Sequence, residues 1–347
     1  MMLPHHGLAV LALATLLAAQ NTVTETSPQA TADEVVTAVQ PIGWRTQRFP
    51  RGGSKGGSLA AVVCYPSKVD AGDERNAQLA PRKGGYPVIV FMHGLGGSAS
   101  QMLGVGRHFA RNGYIVVLTD TTRFNRSLQA RNGAAFFACL KLCNADEDSF
   151  LHGQLDTERV GIGGHSMGGG NSMRVLGENP GYKAGFCFAP WTTGRGPDKT
   201  SYVDMYAGTI KVPLGIVHGV KDRVLPWKNN AMRLFEATQK DATMKVLWVL
   251  DDTASHINIA IQRGRRPADV AVFKLCLKTA TAFFDRHLKG QANALDGMLD
   301  PKSKSAGVLQ LHINKTAPQP TPKRSGLQPC KRALVPGDRV FAHFGFG

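Results

Sequence analysis

The sequence predicts an α/β domain, a mostly parallel twisted sheet with helices on both faces. Three features carry that prediction. The segments 86–93, 114–120, 184–190, 213–218 and 244–250 are nearly unbroken apolar runs, the type of strand that a parallel sheet covers on both sides. Between and after them run helix-periodic segments at 101–112, 127–143, 167–178, 231–239 and 270–288; strands and helices in alternation fold as crossovers over one sheet. The glycine-rich stretch 159–170 joins a short buried strand directly to a helix through a turn built on one serine, Ser166.

Taken in order, residues 7–19 form an apolar run without a charge. Its length fits the hydrophobic region of an export signal and is short for a bilayer span. Ala19 offers a small residue for cleavage, so 1–19 is expected to be a signal peptide and the protein to be secreted. Residues 20–40, rich in Thr, Ala, Glu and Gln, read as a flexible linker or pro-segment. The α/β domain is expected over 41–290. It begins with a strand at 58–66, ended by Pro66, and a polar loop at 67–85. The strand 86–93 runs into Gly94-Leu95-Gly96-Gly97-Ser98, and Gly113 closes the following helix. An acidic loop over 144–157 precedes the serine turn, and Asn179-Pro180-Gly181 stops the helix after it. From 291 to 347 the composition shifts to Pro, Lys and Ser. One apolar alternation there, 308–313, either adds an edge strand or stays mobile.

Across 347 residues, 43% hydrophobic content excludes global disorder. The net charge of +16 is spread along the chain with no basic helix interleaved with aromatics, so no nucleic-acid partner is expected. No later segment is long and apolar enough to cross a membrane, so integral membrane association is not expected either. The six cysteines, Cys64, Cys139, Cys143, Cys187, Cys276 and Cys330, permit disulfides in an exported chain. Cys64 and Cys187 lie in strand-like runs and read as core thiols; Cys139 and Cys143, one helical turn apart, can pair or pack side by side. No Cys/His spacing suggests zinc, and neither a metal nor a cofactor is expected. Oligomeric state is not legible.

Gly164-His165-Ser166-Met167-Gly168 has the G-x-S-x-G spacing of a strand–turn–helix nucleophile. Small residues at both flanks let strand and helix approach, and the helix N-terminus turns backbone N–H groups toward the hydroxyl. A serine hydroxyl needs an adjacent base. Of eleven histidines, His256 alone follows the last predicted strand in a loop at the sheet's C-terminal edge, where catalytic groups of such sheets gather. His165, next to the serine, is expected to point away from it; His108 and His287 fall on helices. The orienting carboxylate is Asp222, after the strand 213–218, with Asp251 and Asp252 as competitors. The oxyanion donors are expected to be the N–H groups of Met167 and Leu95, with Gly94 letting the backbone approach the substrate.

Several motifs resemble, in order, those of bacterial polyester hydrolases of the cutinase and PET-hydrolase type, in the dienelactone-hydrolase-like part of the α/β-hydrolase fold. These are Leu155-Asp156-Thr157-Glu158-Arg159-Val160-Gly161 leading to Gly164–Gly170, then Ala189-Pro190-Trp191, Asp222 with Pro226 close behind, and Ser255-His256. Over 58–290 the resemblance implies an α/β-hydrolase fold, a Ser166–Asp222–His256 triad, and His165 and Trp191 lining the acyl cleft. The chain departs from that pattern at Leu95, where the family usually has an aromatic residue, and at Ile257, where some PET-active members have cysteine. The strands at 86–90 and 114–117 also resemble plant-type chlorophyllases. The implied function is a secreted serine carboxylic-ester hydrolase acting on polyesters or short-to-medium acyl esters. A lipase, chlorophyllase or lipid-acetylhydrolase is the alternative within the class. A non-catalytic binding relative is the alternative from another class, and it would generally lack a triad member.

Overall fold

The computed structural model describes residues 40–52, 56–68, 73–178, 181–194, 201–238, 244–262, 266–299 and 307–315. The expected signal peptide, nearly all of the linker, Cys330 and most of the C-terminal stretch lie outside them.

The chain enters through an antiparallel pair, β1 (Ile42–Pro50) and β2 (Ser58–Pro66), with a two-residue β3 (Glu74–Arg75) beside β1. Then come β4 (Tyr86–Met92), α1 (Leu103–Arg111), β5 (Ile115–Thr119), α2 (Arg126–Ala145), β6 (Leu155–His165) and α3 (Met167–Glu178). The second half holds β7 (Ala184–Phe188), α4 (Tyr202–Tyr206), β8 (Leu214–Gly219), α5 (Ala231–Ala237), β9 (Met244–Leu250), α6 (Pro267–Leu288), α7 (Asp296–Leu299) and β10 (Val308–Lys315). All described strands join one ten-stranded sheet in the order β10-β9-β8-β7-β6-β4-β5-β2-β1-β3. From β5 to β9 every neighbouring pair is parallel; β2 and β10 attach antiparallel at either side.

The apolar runs fold this way because alternate residues feed opposite cores. Val88, Val90 and Met92 of β4 join Phe136 and Leu140 of α2 and Met173 of α3 on one face. Ile89 and Phe91 meet Phe109 of α1 and Phe273, Phe283 and Phe284 of α6 on the other. Fully burying each such side chain is worth about 1.5–3 kcal/mol, which is why an unbroken run is stable only at the centre of the sheet. After β4 the chain crosses over the α1/α6 face, and after β6 it crosses over the α2/α3 face. The carboxyl ends of β4 and β6, which are neighbours, therefore flank a topological switch point, where open α/β sheets form their crevice.

The apolar alternation 308–313 becomes the edge strand β10, paired with β9, and Trp248 of β9 donates its indole N–H to the Met298 carbonyl of α7 at 3.0 Å. The sheet thus runs past residue 290. The permitted disulfides are absent among the described residues: Cys64, Cys139, Cys143, Cys187 and Cys276 are free buried thiols. Cys64 and Cys276 face one core, and Cys139, Cys143 and Cys187 the other. Side chains one turn apart on α2 lie side by side along one face, so Cys139 and Cys143 pack against the sheet. Burial pushes the Cys64 thiol up to about 12 and Cys143 up to about 11, so both act as small apolar groups. Among the described residues no helix is long and apolar enough to cross a membrane.

Candidate active site

Ser166 stands between β6 and α3 with φ 57°, a left-handed backbone that costs a non-glycine residue free energy and is the conformation a sharp G-x-S-x-G strand-to-helix turn requires. The turn is held at both ends: Ser166 N–H donates to Phe188 O at 3.0 Å, and its own carbonyl accepts from Gly170 N at 3.0 Å and Trp191 N at 2.8 Å. A Cβ on Gly164 would lie 2.5 Å from the Gly168 backbone and 2.7 Å from Met92 O, and one on Gly168 would overlap the Met92 carbonyl. Both glycines are therefore required by the closeness of β4, β6 and α3.

The structure brings three distant side chains into series. His256 Nε2 is 3.0 Å from Ser166 Oγ, and His256 Nδ1 is 2.7 Å from Asp222 Oδ2. All three are buried. Asp222 Oδ1 accepts from Val224 N (2.9 Å) and Leu225 N (2.8 Å). Burial alone would raise the Asp222 carboxyl, but the hydrogen bonds from His218, His256 and Leu225 outweigh it and hold the group well below the usual carboxylate range. With its carboxylate partner on Nδ1, the imidazole presents Nε2 to the serine. The competing carboxylates have other partners: Asp252 pairs with Lys221 at 2.7 Å, and Asp251 accepts from Thr253.

On the far side of Ser166, the β4–α1 loop is pinned around Leu95 by Gly96 N to Arg123 O (2.8 Å) and Gly97 N to Gly94 O (3.0 Å). Leu95 is 54% exposed at the mouth, whereas Met167 is buried at the start of α3. A cavity of about 540 Å³ opens here, lined by Gly94, Leu95, Ser166, Trp191, Val224 and Ile257 among others. His165 lines the same cavity but does not simply turn away, as its position beside the serine suggested. Its Nε2 donates to the His256 carbonyl at 2.7 Å and its ring centroid lies 4.9 Å from that of His256. Burial, followed by the neighbouring His256, pushes His165 down to about 3, so it works as a neutral support under the His256 loop.

Sequence reasoning missed four supporting residues. His218, at the end of β8, contacts Asp222. Asn258 staples the His256 loop, accepting from Ser255 N (2.8 Å) and donating to Thr253 O (2.9 Å) and Asp269 Oδ1 (2.8 Å). Arg126 donates to Trp191 O (2.6 Å) and Thr193 O (2.8 Å) and lies 4.5 Å over the Trp191 ring. Gln129 donates to His93 O at 3.0 Å, bracing the start of the β4–α1 loop from α2. An Asn two residues past His256 and a His at a strand end four before Asp222 were the available signals. Among the described residues no three His, Cys, Asp or Glu side chains cluster as a metal site would require.

A parallel sheet with its serine turn at the switch point, facing histidine and carboxylate loops from later strands, defines the α/β-hydrolase class. The chain belongs to the PET hydrolase-like family, whose profile matches residues 18–276. Similar proteins include cutinase est1 of Thermobifida alba, 31% identical over 108 residues, covering 30% of this chain and 36% of that protein. Cutinase 2 of Thermobifida cellulosilytica is 24% identical over 154 residues, 44% of this chain and 54% of that protein. A bis(hydroxyethyl) terephthalate hydrolase of Streptomyces coelicolor is 26% identical over 125 residues, 36% and 39% respectively. The chain therefore spans between about a third and a half of the length of these relatives.

Proposed function

We propose that this protein is a serine carboxylic-ester hydrolase that works through an acyl-enzyme. The observation that carries the proposal is the Ser166 Oγ–His256 Nε2–Asp222 Oδ2 series at 3.0 and 2.7 Å. Ser166 Oγ attacks the ester carbonyl carbon while His256 Nε2 takes its proton. The oxyanion is met by the N–H groups of Leu95 and Met167. Collapse expels the alcohol, which takes the proton from His256, and leaves the acyl group on Ser166. Water, deprotonated by His256, then attacks the acyl carbon, and the second collapse releases the acid and restores the serine. Asp222 fixes the tautomer throughout and stabilises the imidazolium in each transition state.

The substrate side of the reading is a short-to-medium aliphatic acyl ester, free or within a polyester. Leu95, Val224, Leu225, Ile257 and Ile261 give the cleft branched aliphatic walls, with Trp191 as an aromatic one, and relatives are named for cutin and for a terephthalate ester. Export after a leader ending at Ala19 belongs to the same proposal, supported by the apolar run at 7–19.

Ser166→Ala is expected to lower kcat on a p-nitrophenyl butyrate substrate by at least about 10⁴-fold, to abolish labelling by a fluorophosphonate, and to leave the circular dichroism spectrum unchanged. Wild-type turnover in that variant would remove Ser166 from the reaction. A profile over acyl esters of increasing length, with a benzoate for comparison, tests the aliphatic preference.

A further inference from the structure

We propose that His218 is a positioning residue of the hydrolytic site, clasping the Asp222 loop and drawing part of the carboxylate's charge away from His256. The proposal rests on the Ser166–His256–Asp222 assignment above.

His218 is the penultimate residue of β8 and is completely buried. Its Nε2 is 2.8 Å from Leu225 O and 3.1 Å from Asp222 Oδ2. Both neighbours are acceptor oxygens, so that nitrogen must carry a hydrogen. The N–H points at the Leu225 carbonyl, with the carboxylate oxygen beside it. Leu225 in turn gives its N–H to Asp222 Oδ1 at 2.8 Å. The contacts close on themselves: His218 to Leu225, Leu225 to Asp222, Asp222 back to His218. The clasp fixes the plane of the carboxylate, and Oδ2 is the oxygen that receives His256 Nδ1.

The second consequence is electrostatic. Oδ2 carries two histidine N–H dipoles, not one. Each lowers the negative potential available to the other, and in a buried site the effect is not screened by water. His218 therefore takes up part of the Oδ2 charge that would otherwise act on His256 alone. The titratable groups against Asp222 and His256 are His165 from the elbow and His218 from β8; the exposed Lys221–Asp252 pair joins the two loops from outside.

The test is the pH profile of kcat/KM on p-nitrophenyl butyrate for His218→Leu, His218→Asn and His218→Gln, with thermal unfolding of each. Leucine has no donor and asparagine is too short to reach Oδ2, whereas the glutamine amide can put an N–H near the position of Nε2. The acid limb is expected to move up by about half to one pH unit in the leucine and asparagine variants, a fraction of one charge-assisted hydrogen bond, and to stay in place with glutamine. If the leucine variant does not fold, the asparagine and glutamine variants decide the matter. Acid limbs that coincide in wild type and the asparagine variant, or that glutamine displaces as far as asparagine does, would overturn the proposal. Activity surviving in Ser166→Ala would instead remove the triad assignment beneath it, so the two failures are separable.

Discussion

At Ser166 the backbone and the chemistry are the same problem. The left-handed φ of 57° lifts the hydroxyl clear of the sheet, and the strain is contained because Phe188, Gly170 and Trp191 all bond to the serine's own backbone. Gly168 is the residue on which this turn depends. Its missing Cβ is the space occupied by the Met92 carbonyl at the end of β4, and a backbone carbonyl in a central strand cannot move aside as a side chain could. Gly168→Ala is therefore expected to destabilise the fold by about 3 kcal/mol, the upper range of overpacking in a core, read as a lower urea midpoint. The residual folded protein is expected to hydrolyse esters poorly, because moving β4 also moves the Gly94-Leu95 loop. An alanine variant with the wild-type midpoint would show that β4 and α3 are not held as closely as the geometry requires.

Among the elements, the parallel centre was legible and the borders were not. β4 is apolar throughout and β9 is apolar apart from Lys245 because both faces are covered, and that pattern survives any local ambiguity. β1 escaped notice because Arg45, Gln47 and Arg48 of this outer antiparallel strand face outward or lie half-buried, leaving little periodicity. The candidate site was legible where a loop position after a strand suffices, as for Asp222 and His256. It was illegible where a side chain gains its role from distant partners. Arg126 reads as an ordinary helical arginine until Trp191 and Tyr202 close over it, at 4.5 and 3.9 Å. There its planar fork bonds two carbonyls of the Trp191 loop while its face stacks on the indole, a combination that lysine cannot reproduce. Arg126→Lys is expected to raise KM for acyl esters that reach Trp191 by about fivefold, the equivalent of one hydrogen bond, with kcat nearly unchanged, since Trp191 is a wall of the cleft and not a reacting group. A fall in kcat at constant KM would place Arg126 in the transition state and contradict this role.

For the whole molecule, acid sensitivity follows from histidines that the fold buries or half-buries uncharged. His108, bonded to Thr281 at 2.9 Å between α1 and α6, is pushed down to about 4 by burial and then by Arg111. His287, 4.6 Å from the Phe283 ring, is likewise pushed down to about 4 by burial and by Arg286, and His165 to about 3. In the unfolded chain each returns to about 6.5. As pH falls below that value the unfolded chain binds protons that the folded chain refuses, so stability declines until the folded-state values near 4 and 3 are reached. Each histidine contributes a slope of up to about 1.4 kcal/mol per pH unit within that window. Asp222 acts elsewhere: its depressed carboxyl adds stability above the ordinary carboxylate range, which is lost only as pH falls through its lower folded value. Urea unfolding between neutral and mildly acid pH is thus expected to show a steep loss of stability well before carboxylates titrate. His93, also pushed down by its burial, shares the slope, so His108→Gln, which keeps a partner for Thr281 but cannot bind a proton, is expected to flatten it by about a quarter. A slope unchanged in His108→Gln would mean that His108 already carries its proton in the folded protein, and that its burial between α1 and α6 is less complete than the packing requires.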